Sequence, residues 1–162
     1  MAMTQSRTPG PASAPSNFSD FYKQAWPGAV RLAALLTQDA RVGEDLAQEA
    51  FARVFPKWSR VENPNAYLRV AVVNACRSWQ SRRVTERTKL PLVAAACSTE
   101  LAFDVLADAI AALPYRQRAA LVLRYYEGLS EAEIADALGC RPGTVKSSTS
   151  RALAALRKGI EQ

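Results

Sequence analysis

Lys146, Ser147, Ser150 and Arg151 lie on one face of a helical stretch, and their side chains can donate to phosphate oxygens and base edges. Between residues 141 and 158 there are five basic residues and no acidic one. The opposite face, Val145, Ala152, Leu153 and Leu156, is apolar and belongs in a core. A second group has the opposite charge. Asp45, Gln48 and Glu49 fall within one helical turn, over the apolar stripe Leu46, Ala50, Phe51 and Val54. Such a face repels phosphate and suits a protein partner. A third group lies between residues 69 and 89, where six basic residues face the single acid Glu86. Trp58, Tyr67 and Trp79 stand in or near it. Aromatic faces beside a cationic track suit single-stranded nucleic acid, because every base offers a surface to stack on. Core packing is the competing role for these aromatics. It stays open for Trp79, whereas Trp58, in a break beside Arg60, is assigned to function.

The elements that must carry these groups are helical throughout. At residues 129–157 both helix starts are written in. Ser130 and Glu133 have the spacing of a capping box. Ile134 and Leu138 share an apolar face, Gly139 supplies a left-handed residue, and Pro142 suits the first turn of the next helix. This is the pattern of a helix-turn-helix that reads the DNA major groove. Upstream, residues 18–37 read as a helix interrupted or kinked at Pro27. Asp39 caps a helix running to about 55, residues 56–62 form a break, and Asn63-Pro64 starts a helix to about 83. Ser98 or Thr99 caps a helix ending near 113, and Pro114 opens another that stops at Gly128. Period-two strand patterns are absent. The expected architecture is all-α: a flexible tail (1–16), a helical domain (17–84), a linker (85–98) and a second helical domain (99–162).

Composition excludes several classes. The 162 residues carry a net charge of +6 and are 49% hydrophobic, so the chain buries a core and favours polyanions. Arg outnumbers Lys 16 to 5, which suits phosphate and guanine contacts. There is no histidine, no phosphate-cradling Gly loop and no nucleophile elbow, which argues against catalysis. Cys76, Cys97 and Cys140 lack metal-ligand spacing, so neither a metal nor any other cofactor is expected. No apolar run is long enough for a membrane span, and no signal peptide is evident. These features fit a reducing cytoplasm.

The stretches FSDFYKQAWPGAVRLAALLT, EDLAQEAFARVFPKW and NPNAYLRVAVVNACRSWQSRR, in that order, resemble region two of the sigma-70 family of initiation factors. LPYRQRAALVLRYYEGLSEAEIADALGCRPGTVKSSTSRALAALR resembles region four. The two joined by a short linker, without regions one and three and covering about residues 18–160, are similar to the extracytoplasmic-function class, in a sigma-E-like subgroup common in actinobacteria. The resemblance implies a promoter-recognition factor that is not itself an enzyme, with core RNA polymerase, promoter DNA and an anti-sigma factor as partners and no membrane insertion. It places Asp45, Gln48 and Glu49 on the clamp helices of the polymerase largest subunit, and region four near the flap. Capture of the minus-ten strand falls to residues 58–65, with Trp58, Arg60, Asn63 and Asn65, backed by Asn74, Arg77 and Ser78. Reading of the minus-thirty-five duplex falls to Arg141, Thr144, Lys146, Ser147, Ser150 and Arg151. Ser148 and Thr149 depart from the basic-then-apolar pair of many members. The rival is a stand-alone helix-turn-helix regulator, which has no use for the acidic helix.

Overall fold

The computed structural model describes residues 17–87 and 103–160, and among these every regular element is a helix. Three long helices form the amino-terminal half: α1 (Phe18–Thr37), α2 (Ala40–Val54) and α3 (Pro64–Arg87), with a 3-10 helix, Phe55–Arg60, between the last two. Four form the carboxy-terminal half: α4 (Phe103–Ala111), α5 (Tyr115–Tyr125), α6 (Glu131–Leu138) and α7 (Pro142–Ile160). The expected tail, Cys97, the Ser98 or Thr99 cap and nearly all of the linker lie outside the described residues.

Local chemistry fixes the helix starts. Asp39 Oδ1 accepts from the backbone N–H groups of Arg41 and Val42 at 3.0 and 3.1 Å. Asn63 Oδ1 accepts from Ala66 N at 3.1 Å, with Pro64 at the first helical position. Between α1 and α2, Gln38 takes the left-handed conformation (φ 60°) and its backbone N–H bonds back to Ala34 O, so the chain reverses in two residues. The reversal brings α2 hard against α1. A Cβ on Gly43 would sit 2.8 Å from Ala34 N, so only glycine permits that crossing.

Two expectations change. Helix α1 runs unbroken through Pro27, because Pro27 and Lys23 are both exposed and solvent serves the carbonyl that the proline leaves without a partner. The break at 56–62 is in large part the 3-10 helix, with Pro56 near its start, where a missing N–H is harmless.

Phe21, Leu36, Phe51, Val54, Val72 and Val73 are buried in the core of the amino-terminal half. The same apolar cluster continues into Ala119, Leu123, Ile134, Leu138 and Val145 of the other half. Each fully buried side chain of this size contributes about 1.5–3 kcal/mol, so the joint between the halves is part of the fold's stability. A smaller cluster, Leu113, Leu121, Ala152 and Leu156, ties α5 to α7.

Polar links cross the same joint. Arg69 Nε meets Glu127 Oε2 at 2.8 Å, and Arg77 Nη1 donates to Leu138 O at 3.0 Å. The Tyr115 hydroxyl donates to Val73 O at 3.3 Å. Arg118, only 5% exposed, donates to Leu36 O at the end of α1, and to Ala111 O and Leu113 O in its own half. Three carbonyls, two of them at helix C-termini, replace a counterion for this guanidinium. Burial draws its pKa down. Burial also pushes the Tyr115 phenol up, and the Cys76 thiol up to about 12.

Candidate nucleic-acid and protein interfaces

The carboxy-terminal surface is assembled by α6 and α7. The Ser130 hydroxyl accepts from Glu133 N at 3.3 Å, and the Glu133 carboxylate accepts from Ser130 N at 2.9 Å. The bond from the Ser130 backbone N–H, and then one from its hydroxyl at 2.7 Å, hold the Glu133 carboxyl below the usual carboxylate range. Gly139, at φ 61°, ends α6 and lets the chain turn into α7. Val145, Ala152 and Leu156 are buried, so α7 is rotated with Arg141, Lys146, Ser147, Ser150 and Arg151 exposed and Thr144 half-exposed. The Ser147 hydroxyl donates to Thr144 O at 3.1 Å, leaving its lone pairs outward. Ser148 is buried and the Thr149 hydroxyl bonds Val145 O, so neither departure from the commoner pattern lies on the outermost face.

The amino-terminal surface is more divided than the sequence suggests. Arg60 and Asn63 line an open hollow of about 660 Å³ with Lys57, Val61, Glu62, Ala66, Tyr67 and Val70. Asn74 lines an adjoining hollow of about 360 Å³ with Arg53, Lys57, Tyr67 and Val70. Lys57 and Tyr67 form the partition: Lys57 Nζ lies 2.9 Å from the Tyr67 hydroxyl and 5.5 Å from its ring centroid. The sequence did not single out Lys57, and it left Tyr67 open between core packing and the cationic track. The one available signal was the four-residue step from Tyr67 to Ala71 to Ala75, which left Tyr67 at the end of the apolar stripe, where burial thins out.

Trp58 is turned inward. Its ring packs 5.5 Å from Phe18, edge to face, and 5.0 Å from Phe21, in an aromatic cluster with Phe51. Trp79 is also half-buried against the core, with the Arg83 guanidinium 5.0 Å from its ring. Asn65 is exposed on a different groove, which it lines with Gln24, Arg69 and Glu127. Arg77 reaches the end of α6, and Ser78 is exposed. Of the expected minus-ten set, only Arg60, Asn63 and Asn74 line the paired hollows.

On α2, Asp45 and Gln48 are exposed. Glu49 is half-buried and bonded by Arg53 one turn along. An exposed pair of this kind is worth less than about 1 kcal/mol, so Glu49 is readily released to another cation.

An all-helical chain with a basic helix-turn-helix face, a cationic aromatic groove and a separate acidic helix defines a DNA-binding protein that also meets a protein. The family model for sigma-70 region 4 matches residues 103–156. The chain is 35% identical to the RNA polymerase sigma-E factor of Streptomyces coelicolor, over 88% of this chain and 85% of the relative. It is 33% identical to the ECF RNA polymerase sigma factor SigL of Mycobacterium tuberculosis, covering 82% of each. Among solved structures it resembles the sigma factor RpoE of Bartonella quintana, determined in complex with the anti-sigma factor NepR. That likeness has a TM-score of 0.74 at 25% identity and covers 89% of this chain and 96% of the other. The chain belongs to the RNA polymerase sigma factors of the extracytoplasmic-function type.

Proposed function

We propose that this sigma factor divides promoter recognition among three surfaces. On α2, exposed Asp45 and Gln48 with half-buried Glu49 dock on the clamp helices of the polymerase largest subunit. The carboxy-terminal half sits near the flap and presents Arg141, Thr144, Lys146, Ser147, Ser150 and Arg151 to the minus-thirty-five duplex. The hollows beside Arg60, Asn63 and Asn74 hold unpaired bases of the minus-ten strand, with the Lys57–Tyr67 pair between them. Arg77 and Ser78, beyond the hollows on α3, meet the upstream part of that element. Trp58, packed inward, supports this surface from behind, while Asn65 faces its separate groove.

The observation that carries this reading is the charge layout. One chain has an acidic helix unsuited to DNA, and on other faces two cationic surfaces, one for duplex and one for exposed bases. Base capture costs a few kcal/mol of unstacking, and an aromatic wall with cations offsets that cost. No covalent step is assigned to the chain. The work is done in the cytoplasm, where polymerase and promoter meet. An anti-sigma factor is the proposed regulator, as one holds the structural relative. Transcription in vitro, with purified core polymerase, this chain and a genomic DNA library, tests the reading. Discrete transcripts that require the chain support it; none above core polymerase alone refutes it.

A further inference from the structure

Where α3 passes the end of α1 and the start of α5, the surface sinks into a hollow of about 370 Å³ that belongs to none of the three proposed surfaces. Thr37, Gln38, Gln80, Arg83, Tyr115 and Arg118 supply its polar groups, and no acidic residue is among those that line it. Arg118 is only 5% exposed. Its Nε donates to Leu36 O, and its Nη1 is shared between Ala111 O and Leu113 O. That leaves Nη2 without a protein partner. Among the described residues no buried side-chain nitrogen lacks a hydrogen bond, so Nη2 is open to the solvent of the hollow.

Arg83 stands on the α3 side, half-buried, with its guanidinium 5.0 Å from the Trp79 ring centroid. Neither ion pair among the described residues involves it. The start of α5 adds to these two cations: Pro114 is the N-cap and no side chain caps the helix, so its positive end also faces this wall. The negative ends of α1 and α4 are already met by Nε and Nη1 of Arg118. Burial lowers the Arg118 pKa, and no carboxylate opposes that effect.

We infer that this hollow binds a small phosphate-bearing oxyanion, held between Arg118 Nη2 and the Arg83 guanidinium. Planar guanidinium groups match the spacing of phosphate oxygens, and an anion here gives Arg118 the counterion it lacks. Arg118 is set too deep for the backbone of a duplex, which meets donors that stand out from the surface, as those of α7 do. The volume leaves room for a phosphate that carries a further group.

Titration of the full chain with inorganic phosphate, adenosine monophosphate and adenosine, in chloride at constant ionic strength, tests the site without polymerase or DNA. Trp79 fluorescence should change saturably, with a midpoint at or below about 1 mM, and Trp79→Phe should remove the signal. Arg83→Gln should weaken binding about tenfold or more, since it removes a charged donor. Gln80→Glu places a carboxylate in the wall and should abolish saturation. Lys23→Gln, fourteen residues before Thr37 on α1 and so roughly 20 Å away, removes the same charge and should change nothing. Arg118 anchors the fold, so the Arg83 and Gln80 variants carry the test, with circular dichroism showing that their helices persist. Phosphate binding as tightly as the nucleotide assigns free phosphate as the ligand; tighter nucleotide binding assigns a phosphate with a larger group attached. Saturation by neither, adenosine binding as well as its monophosphate, or a signal that survives Trp79→Phe would overturn the site. So would a loss with Lys23→Gln as large as with Arg83→Gln.

Discussion

The two proposed DNA surfaces are constructed differently. The carboxy-terminal reader is one uninterrupted piece of chain, in which a capping box, a left-handed glycine and a proline at a helix start orient α7 and its exposed donors. The amino-terminal groove draws on the end of α2, the 3-10 helix and α3, and its partition, Lys57 against Tyr67, joins residues ten apart. A surface made by one helix changes one contact at a time. A surface made by three elements fails as a unit when any of them shifts. Duplex DNA offers a regular groove that one helix can follow, whereas a flipped base has to be enclosed from several sides.

The largest expected effect lies outside both DNA surfaces. Reversing Asp45 and Glu49 to Arg should cost about 2–5 kcal/mol of polymerase affinity, thirtyfold or more, because the same positions become repulsive. Pull-down with core polymerase measures it, and circular dichroism should remain helical since Asp45 is exposed and Glu49 half-exposed. Undiminished binding would move the docking surface elsewhere.

Next comes the assembled groove. Asn63 caps α3, so Asn63→Asp keeps the cap while replacing an amide donor with an anion. Combined with Arg60→Ala, it should remove about 1–3 kcal/mol of base capture. Open-complex formation should fall, seen as lost permanganate reactivity of thymines near the start site. A pre-melted template should partly restore transcription. Normal melting would show that strand capture does not depend on this hollow.

The single-helix reader should respond more simply. Lys146→Ala or Arg151→Ala should lose about 1–3 kcal/mol with relaxed preference at one base pair if the residue reads a base. If it anchors a phosphate, all sequences should weaken alike and the salt dependence should fall. Holoenzyme binding to promoter fragments at several salt concentrations distinguishes these outcomes. No change from either substitution would remove α7 from the reading surface.

The same contrast explains what the sequence made legible. Asp39, the Asn63-Pro64 pair, the Ser130–Glu133 box and Gly139 act within one helical turn, so spacing alone reveals them. The acidic face of α2 is legible for the same reason. Trp58 is not. Whether an aromatic ring in a break points to solvent or to Phe18 and Phe21 is decided by helix α1, some forty residues earlier. The Lys57–Tyr67 partition and the Arg118 bond to Leu36 O depend likewise on how separate helices meet. Arg118 in particular reads as one more surface cation in an Arg-rich chain, and only its position beside the end of α1 makes it a buried link.

The smallest predicted effect tests how local the carboxy-terminal reader is. Ser130→Ala removes the hydroxyl that accepts from Glu133 N and donates to the Glu133 carboxylate, leaving an N–H of α6 to solvent. The loss should be about 1 kcal/mol of stability, since the site is exposed and water partly replaces the hydroxyl. The Glu133 carboxyl titrates below the usual carboxylate range because the Ser130 backbone N–H, which the variant keeps, and then the hydroxyl, which it loses, donate to the charged form. A carboxyl held low in the folded state stabilises it above the ordinary carboxylate pKa, and that contribution disappears as the pH falls through the lowered value. Wild type and Ser130→Ala should therefore differ most at neutral pH, and the gap should narrow in acid to the part carried by the bond from Glu133 N to the hydroxyl, which does not titrate, measured as thermal midpoints across the range. If the cap acts locally, the variant should lose minus-thirty-five binding only in proportion to the fraction of α6 that frays. Melting at the minus-ten groove should be untouched. A pH-independent difference between the two proteins would mean that the serine hydroxyl acts only as the acceptor for Glu133 N, with the Glu133 charge a bystander.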